Sequence, residues 1–301
     1  MASRRTLALA MALTPGIGAK TICRVLGRND LLGRSPEEFL RFGKAVLTEE
    51  YRLAAATATA WVDHRKRLLA EAEDTERRLD RFGVSLVTAV DPHYPHALEA
   101  FDPDPPGVLF LYGNARLLES RTFAVLSSRK SPPAALDLIE RLAEEGVLSG
   151  ETLVAGHDTA EYQRAAVVPL RWGAPRILVL DRGLYAALGE DLSDEPFRTA
   201  RLWRYRFDPA TDLAVSVCAP DLRYHAAGNK TRDRVIAGLA RRLDIVIAQE
   251  GGNMERLGRL ALKAGRPVRV SDLSLNYRAF REAGAEIIPA SPPAQASRDG
   301  S

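Results

Sequence analysis

Beyond residue 84 the chain repeats one pattern: a short apolar, β-branched run, then a segment with helical spacing. The runs occupy residues 84–90, 108–112, 122–127, 152–155, 176–180, 213–218, 245–248 and 267–270. Helical spacing fills residues 133–145, 160–172, 231–242 and 254–264. Strands that are apolar on both faces and separated by helices belong to a parallel sheet buried between helical layers. The expected fold is therefore α/β, with an extended Rossmann-like parallel sheet. Ligands of such sheets bind beyond the carboxyl ends of the strands. The strand-to-helix loops are where function is expected.

Upstream the periodicity is helical throughout, over residues 7–13, 19–26, 36–42 and 54–81. The last of these is long and mixed in charge, so one of its faces is solvated. The chain is expected to divide into a small helical domain of helix–hairpin–helix or SAM-like kind (residues 1–82), a Rossmann-like domain (83–290) and a disordered tail (291–301) rich in Pro, Ser, Ala and Gly. The stretch 187–209 is a long connection with weak periodicity.

Composition narrows the function classes. Hydrophobic residues make up 46% of the 301 and charged residues 27%, enough apolar material for a sizeable core. The formal net charge is only +3, so a nucleic-acid surface would have to come from local clustering of Arg and Lys. Cys23 and Cys218 are the only cysteines, which argues against a disulfide framework and a multi-cysteine metal site. The run after Arg4 and Arg5 lacks a convincing cleavage site, and no stretch is long and apolar enough to span a membrane, so a cytoplasmic location is expected.

Four loops can carry chemistry. Ser127-Ser128-Arg129-Lys130-Ser131 follows a strand and precedes a helix opened by Pro132-Pro133. Its small residues, its two cations and the positive helix end make a phosphate cradle; an ordinary capped turn is the plain alternative. Gly156-His157-Asp158-Thr159 combines a glycine that permits close approach with a helix cap. His157 and Asp158 suggest acid–base work, but no nucleophile elbow or set of metal ligands accompanies them. Gln249-Glu250-Gly251-Gly252-Asn253 is a Gly-rich turn with donor capacity. No complete G-x-G-x-x-G or Walker A pattern occurs, which disfavours NAD binding and P-loop ATP hydrolysis.

The fourth loop is Gly228-Asn229-Lys230-Thr231-Arg232-Asp233-Arg234. Cations at a helix start oppose its dipole unless an anion or an acidic neighbour is near. Lys230, Arg232 and Arg234 are therefore expected to contact phosphates, and replacing either arginine is expected to weaken binding with little cost to folding. In the helical part, Pro15-Gly16-Ile17-Gly18-Ala19-Lys20 resembles a helix–hairpin–helix turn. There Gly16 and Gly18 expose backbone donors and Lys20 adds charge for a possible DNA contact; a protein-interaction turn is the alternative.

In this order the loops resemble the DNA-processing protein A family, also called Smf, from about Leu7 to Pro289. Tyr94-Pro95 and the segment from Asp104 to Asn114 match that family. Ser127–Ser131 stands at its Gly-Ser/Thr-Arg loop, and Gly156-His157-Asp158 at its Gly-Ile-Asp. Arg176 to Leu184 matches a strand and turn. Arg232-Asp233-Arg234-Val235-Ile236-Ala237-Gly238-Leu239 matches its Arg-Asn-Arg-Ile-Ile-Ala-Gly-Leu signature, and Gly265-Arg266-Pro267-Val268 its closing strand. The resemblance implies a Rossmann-domain homodimer that binds single-stranded DNA in a basic pocket, protects it and loads a RecA-type recombinase during natural transformation and recombination. It implies no catalysis, no cofactor and no metal.

The departures are specific. Ser127 replaces a glycine, Asp233 replaces an asparagine, Ser149-Gly150 lies out of register with the family's Ser-Gly-x-Ala, and Ala248 to Gly252 replace an acidic residue and a Ser-Gly turn. They leave a second reading open. On that reading the chain is a nucleotide-binding sensor or a LOG-like hydrolase of N-glycosidic bonds, with Glu250 beside Gly251-Gly252 as its best residue.

Overall fold

Every regular element before residue 82 is a helix, and the first strand begins at Ser85. The computed structural model describes residues 2–226 and 228–290; the tail 291–301, expected to be disordered, lies outside them. The helices are α1 (Arg4–Ala12), α2 (Ala19–Leu32), α3 (Pro36–Arg41), α4 (Lys44–Glu49) and α5 (Ala55–Arg81). Local chemistry explains their limits. Ser3 and Thr6 form a capping box at α1, Ser35 and Glu38 another at α3, and Gly33 ends α2 in the left-handed conformation. Phe39, Tyr51 and Trp61 are buried together, with Phe39 edge-on to Tyr51 at 5.0 Å and 5.8 Å from Trp61.

The rest is one nine-stranded sheet: β1 (Ser85–Thr88), β2 (Val108–Gly113), β3 (Thr122–Ser127), β4 (Thr152–Ala155), β5 (Arg176–Val179), β6 (Leu213–Ser216), β7 (Arg242–Ile247), β8 (Val268–Ser271) and β9 (Glu286–Ile288). Helices intervene: α6 (His96–Phe101), α7 (Pro133–Leu148), α8 (Ala160–Ala166), α9 (Val168–Arg171), α10 (Leu184–Leu188), α11 (Gly228–Leu239), α12 (Asn253–Lys263) and α13 (Tyr277–Glu282). The strand order is β1-β2-β6-β5-β4-β3-β7-β8-β9. Strands β3 to β9 run parallel, whereas β1 and β2 pair antiparallel and extend the sheet past β6. The α/β Rossmann-like class is as expected, with an antiparallel edge.

The elements invisible in the sequence are short. Helices α4, α6, α10 and α13 have five or six residues and β9 has three, too few for a period to show. The helix expected over 160–172 is interrupted at Val167, with Pro169 in the first turn of α9. The expected 231–242 helix starts three residues earlier, and Arg242 already opens β7.

The helical part packs on the sheet. A Cβ on Gly107 would sit 2.5 Å from the carbonyl oxygen of Ala19, so only glycine admits α2 there. The Cys23 thiol donates to the Gly107 carbonyl (3.2 Å), and Arg78 of α5 pairs with Asp221 (3.0 Å). Both cysteines are free thiols. At the amino ends of β5 and β6 lies a sealed ion cluster. Arg176 pairs with Glu195 (2.6 Å) and Asp212 (2.8 Å), all three side chains fully buried, and Arg204 closes on Asp212.

Candidate nucleic-acid interface

The chain winds outward from β3 through β4, β5 and β6, then crosses back to β7, β8 and β9. The strand order reverses between β3 and β7, the place where an open α/β sheet leaves a crevice. That crevice is partly closed here. The Ser128 N–H donates to the Ile247 carbonyl (2.8 Å), and the Gln249 N–H donates to the Ser128 hydroxyl (3.1 Å).

An open cleft of about 490 Å³ lies to one side, beyond the carboxyl ends of β3, β4 and β5. The β3–α7 loop contributes Arg129, Lys130 and Ser131; the start of α8 contributes Asp158, Thr159 and Glu161; the turn after β5 contributes Asp181 and Arg182; Tyr224 forms a further wall. Lys130 is held at φ +64, a left-handed conformation uncommon for a residue with a side chain. Gly156 lies under the Tyr162 ring, where a Cβ would approach to 2.8 Å.

Several of the backbone donors expected to cradle phosphate are already occupied. Glu161, buried, accepts from the Ser131 N–H at 2.9 Å. Glu255 accepts from the Gly251 N–H at 2.7 Å, and the Gly252 N–H donates to the Gln249 carbonyl at 2.9 Å. The protein's own carboxylates thus sit where the sequence suggested an anion. Charged side chains are what the cleft offers instead. Arg129 is exposed and only 3.4 Å from Asp158; Lys130 is exposed and has no carboxylate partner among the described residues.

Arg182 pairs with Asp181 (2.7 Å) and stands 5.5 Å from the centre of the half-exposed Tyr224 ring. His157 Nε2 is 3.3 Å from Asp181. Burial raises the Asp181 carboxyl, but His157 and Arg182 outweigh it and hold the group well below the usual carboxylate range.

The arginines of α11 depart from the sequence argument. Arg232 is buried and salt-bridged to Asp158 and to Asp233 (2.8 Å), with its guanidinium 4.9 Å from the centre of the Tyr162 ring. Asp233 also accepts from Tyr162 Oη and Asn253 Nδ2, both at 2.8 Å. Burial works against the Arg232 charge, and Tyr162, Asp233 and Asp158 more than restore it, raising its pKa. Burial and the Asp233 carboxylate push the Tyr162 phenol well above its ordinary value. Arg234 turns the other way, onto Asp102 (2.6 and 2.8 Å). Neither charge is uncompensated, so the dipole argument does not single them out. The Asp233 departure has a physical reason as well: it is the counter-ion of Arg232.

The remaining candidates are dispersed. Lys230 is exposed on α11 but does not line the cleft. Gly16, Gly18 and Lys20 lie at the α1–α2 turn, with Lys20 3.0 Å from Asp104. Ser127 is buried and bonds the Ser131 hydroxyl at 2.8 Å. Gly251 and Gly252 belong to the turn after β7, beside a second depression of about 450 Å³ bordered by Gln249, Glu250, Glu255 and Arg259. The sequence singles out neither Asp181 and Arg182 as individual site residues nor Tyr224, though all three line the cleft. The first two directly follow a strand and were findable by the loop rule; Tyr224 carried no signal. Among the described residues no group of three or more His, Cys, Asp or Glu is placed to hold a metal.

The model of one protein family, DNA recombination-mediator protein A, matches residues 85–291, more than half of the chain. The chain belongs to that family. Among solved structures, DNA processing protein A from Streptococcus pneumoniae aligns with a TM-score of 0.69 at 19% identity, covering 94% of this chain and 92% of that one. DNA processing protein A from Helicobacter pylori, described for its single-stranded DNA binding mode, aligns at 0.52 and 19%, covering 69% and 91%. The first of these likenesses, which spans 94% of the chain, shows that the similarity of fold extends into the helical part. No curated protein matches the chain significantly.

Proposed function

We propose that this member of the family binds single-stranded DNA, without catalysis, in the cleft beyond β3, β4 and β5. The carrying observation is that the pair of exposed cations Arg129 and Lys130 lines the same cleft as the half-exposed Tyr224. Phosphates need the first and a base face can use the second. Ser127, Ser128, Gly156 and Arg232 then act as the scaffold of the cleft rather than as its contacts, and Gly251 and Gly252 stand apart from it. The single-stranded DNA binding described for the Helicobacter pylori relative agrees with this reading. So does the description of the family as a recombination mediator. From the same relationship we infer a cytoplasmic homodimer that protects the strand and delivers it to a RecA-type recombinase in DNA uptake. The division into domains at residues 82/83 is part of the same reading.

The test is anisotropy of a labelled oligothymidylate across salt concentrations. The double variant Arg129→Ala/Lys130→Ala should bind more weakly to all sequences alike, with a salt slope shallower by roughly 0.7 for each phosphate left without its cation. Unchanged affinity and slope would remove the cleft from the function. The second depression, with Glu250 on its border, keeps the nucleotide reading testable. A nucleoside monophosphate that binds the native chain, but not Glu250→Gln, would favour that reading.

A further inference from the structure

The long connection between α10 and β6 carries a surface that the cleft does not use. Between Arg198 and Arg206 the chain reads Arg-Thr-Ala-Arg-Leu-Trp-Arg-Tyr-Arg, four arginines and no acid. Three of its apolar side chains face solvent: Leu202 is 82% exposed, Tyr205 73% and Trp203 51%. Trp172, at the end of α9, is 52% exposed, and the preceding Arg171 stacks on the Trp203 ring at 5.2 Å. Large rings left in water this way are uncommon on a surface without a partner.

Acids reach only the margin of this surface: the Trp172 indole N–H donates to Glu144 (3.0 Å), Arg171 is paired with Glu140, and Asp194 bridges to the Arg206 backbone. Arg204 is spent on Asp212 and Asp208. Arg201 is anchored by its backbone acceptor, the Glu195 carbonyl (3.1 Å), and has no carboxylate partner among the described residues; the exposed Arg198 and Arg206 have none either. The position is set by the sealed cluster. Glu195, Arg204 and Asp212 close on Arg176, the first residue of β5, so this surface lies at the amino edge of the sheet. The cleft is at the opposite, carboxyl edge.

We propose that Trp203, Tyr205 and Trp172, flanked by Arg198, Arg201 and Arg206, form a second single-stranded nucleic-acid platform, separate from the cleft. Alternating flat rings and unpaired guanidiniums match alternating bases and phosphates. A second copy of this chain matches less well. Across a two-fold axis the patch would meet itself, bringing unpaired arginines together, and interface cores are depleted of charge. With both edges occupied, one chain holds two segments of a strand at once.

The chain's three tryptophans make the test direct, because Trp61 is fully buried while Trp172 and Trp203 are not. Titrating the full chain with an oligothymidylate of about 20 nucleotides should quench tryptophan emission. The quench should persist in Arg129→Ala/Lys130→Ala, which separates this platform from the cleft. Trp203→Ala/Tyr205→Ala should abolish most of the quench and weaken this phase of binding about tenfold or more. Trp203→Phe/Tyr205→Phe should bind within about twofold of native, because the ring faces remain. Should the alanine pair melt early, Arg198→Ala and Arg206→Ala carry the test, each lowering the salt slope by about 0.7. Unquenched emission on saturation with DNA overturns the proposal. So does native binding by the folded alanine pair, or a variant that changes only self-association.

Discussion

Arginine meets carboxylate at both edges of the sheet, with opposite consequences. At the amino edge Arg176, Glu195 and Asp212 are wholly enclosed, and nothing outside the protein can reach them. At the carboxyl edge Arg232, Asp158 and Asp233 form a comparable buried group, but Asp158 lines the cleft and also faces the exposed Arg129. The first group joins a strand start to a long connection. The second forms the floor beneath cations that stay exposed to solvent, Arg129 and Lys130. Burial, not residue type, separates an arginine that holds the fold from one that can hold a ligand.

The sharpest way to break this comparison is at the sealed edge. Arg176→Ala strands the buried Glu195 and leaves Asp212 to Arg204 alone, and should cost about 3–5 kcal/mol in denaturant unfolding. A loss below about 1 kcal/mol would show that water reaches the cluster. Arg232→Ala should behave as its milder counterpart, costing about 3 kcal/mol, because Tyr162 and Asn253 still bond Asp233. If it instead leaves stability unchanged while DNA binding falls, Arg232 belongs with the exposed cations and the distinction fails.

Acid provides a third probe. The Asp181 carboxyl is depressed in the folded state, so its contribution is complete above an unfolded carboxylate value of about 4 and drains away as pH falls below it. Thermal melts between neutral and strongly acidic pH should show Asp181→Asn less stable at neutral pH by on the order of 1–2 kcal/mol. The gap should narrow towards the acid end; a constant gap would mean the carboxylate charge is immaterial. The smallest expected effect is at the wall of the cleft. Tyr224→Ala should weaken binding of single-stranded DNA by about 1 kcal/mol and Tyr224→Phe by much less. Equal losses would assign Tyr224 to its hydroxyl, which accepts from Asn229 at 3.1 Å, rather than to its ring.

The amino-acid sequence by itself determined the class of fold and the family. These depend on period and on local motifs: apolar runs four to seven residues long, helices of two turns or more, and the Arg232–Leu239 signature, all of which are legible without knowing which segments touch. It also placed Arg129 and Lys130 correctly on a loop after a strand. Only the tertiary structure decided which charges are free. The reading of Arg232 and Arg234 as uncompensated was reasonable along the helix, but Asp158 and Asp102 are 74 and 132 residues away in the chain. The same holds for the loop amides, whose acceptors Glu161 and Ile247 arrive from other elements. The physical reason is range. Backbone propensity and the helix dipole act within a turn or two, whereas burial and ion pairing depend on which distant segments the fold brings together.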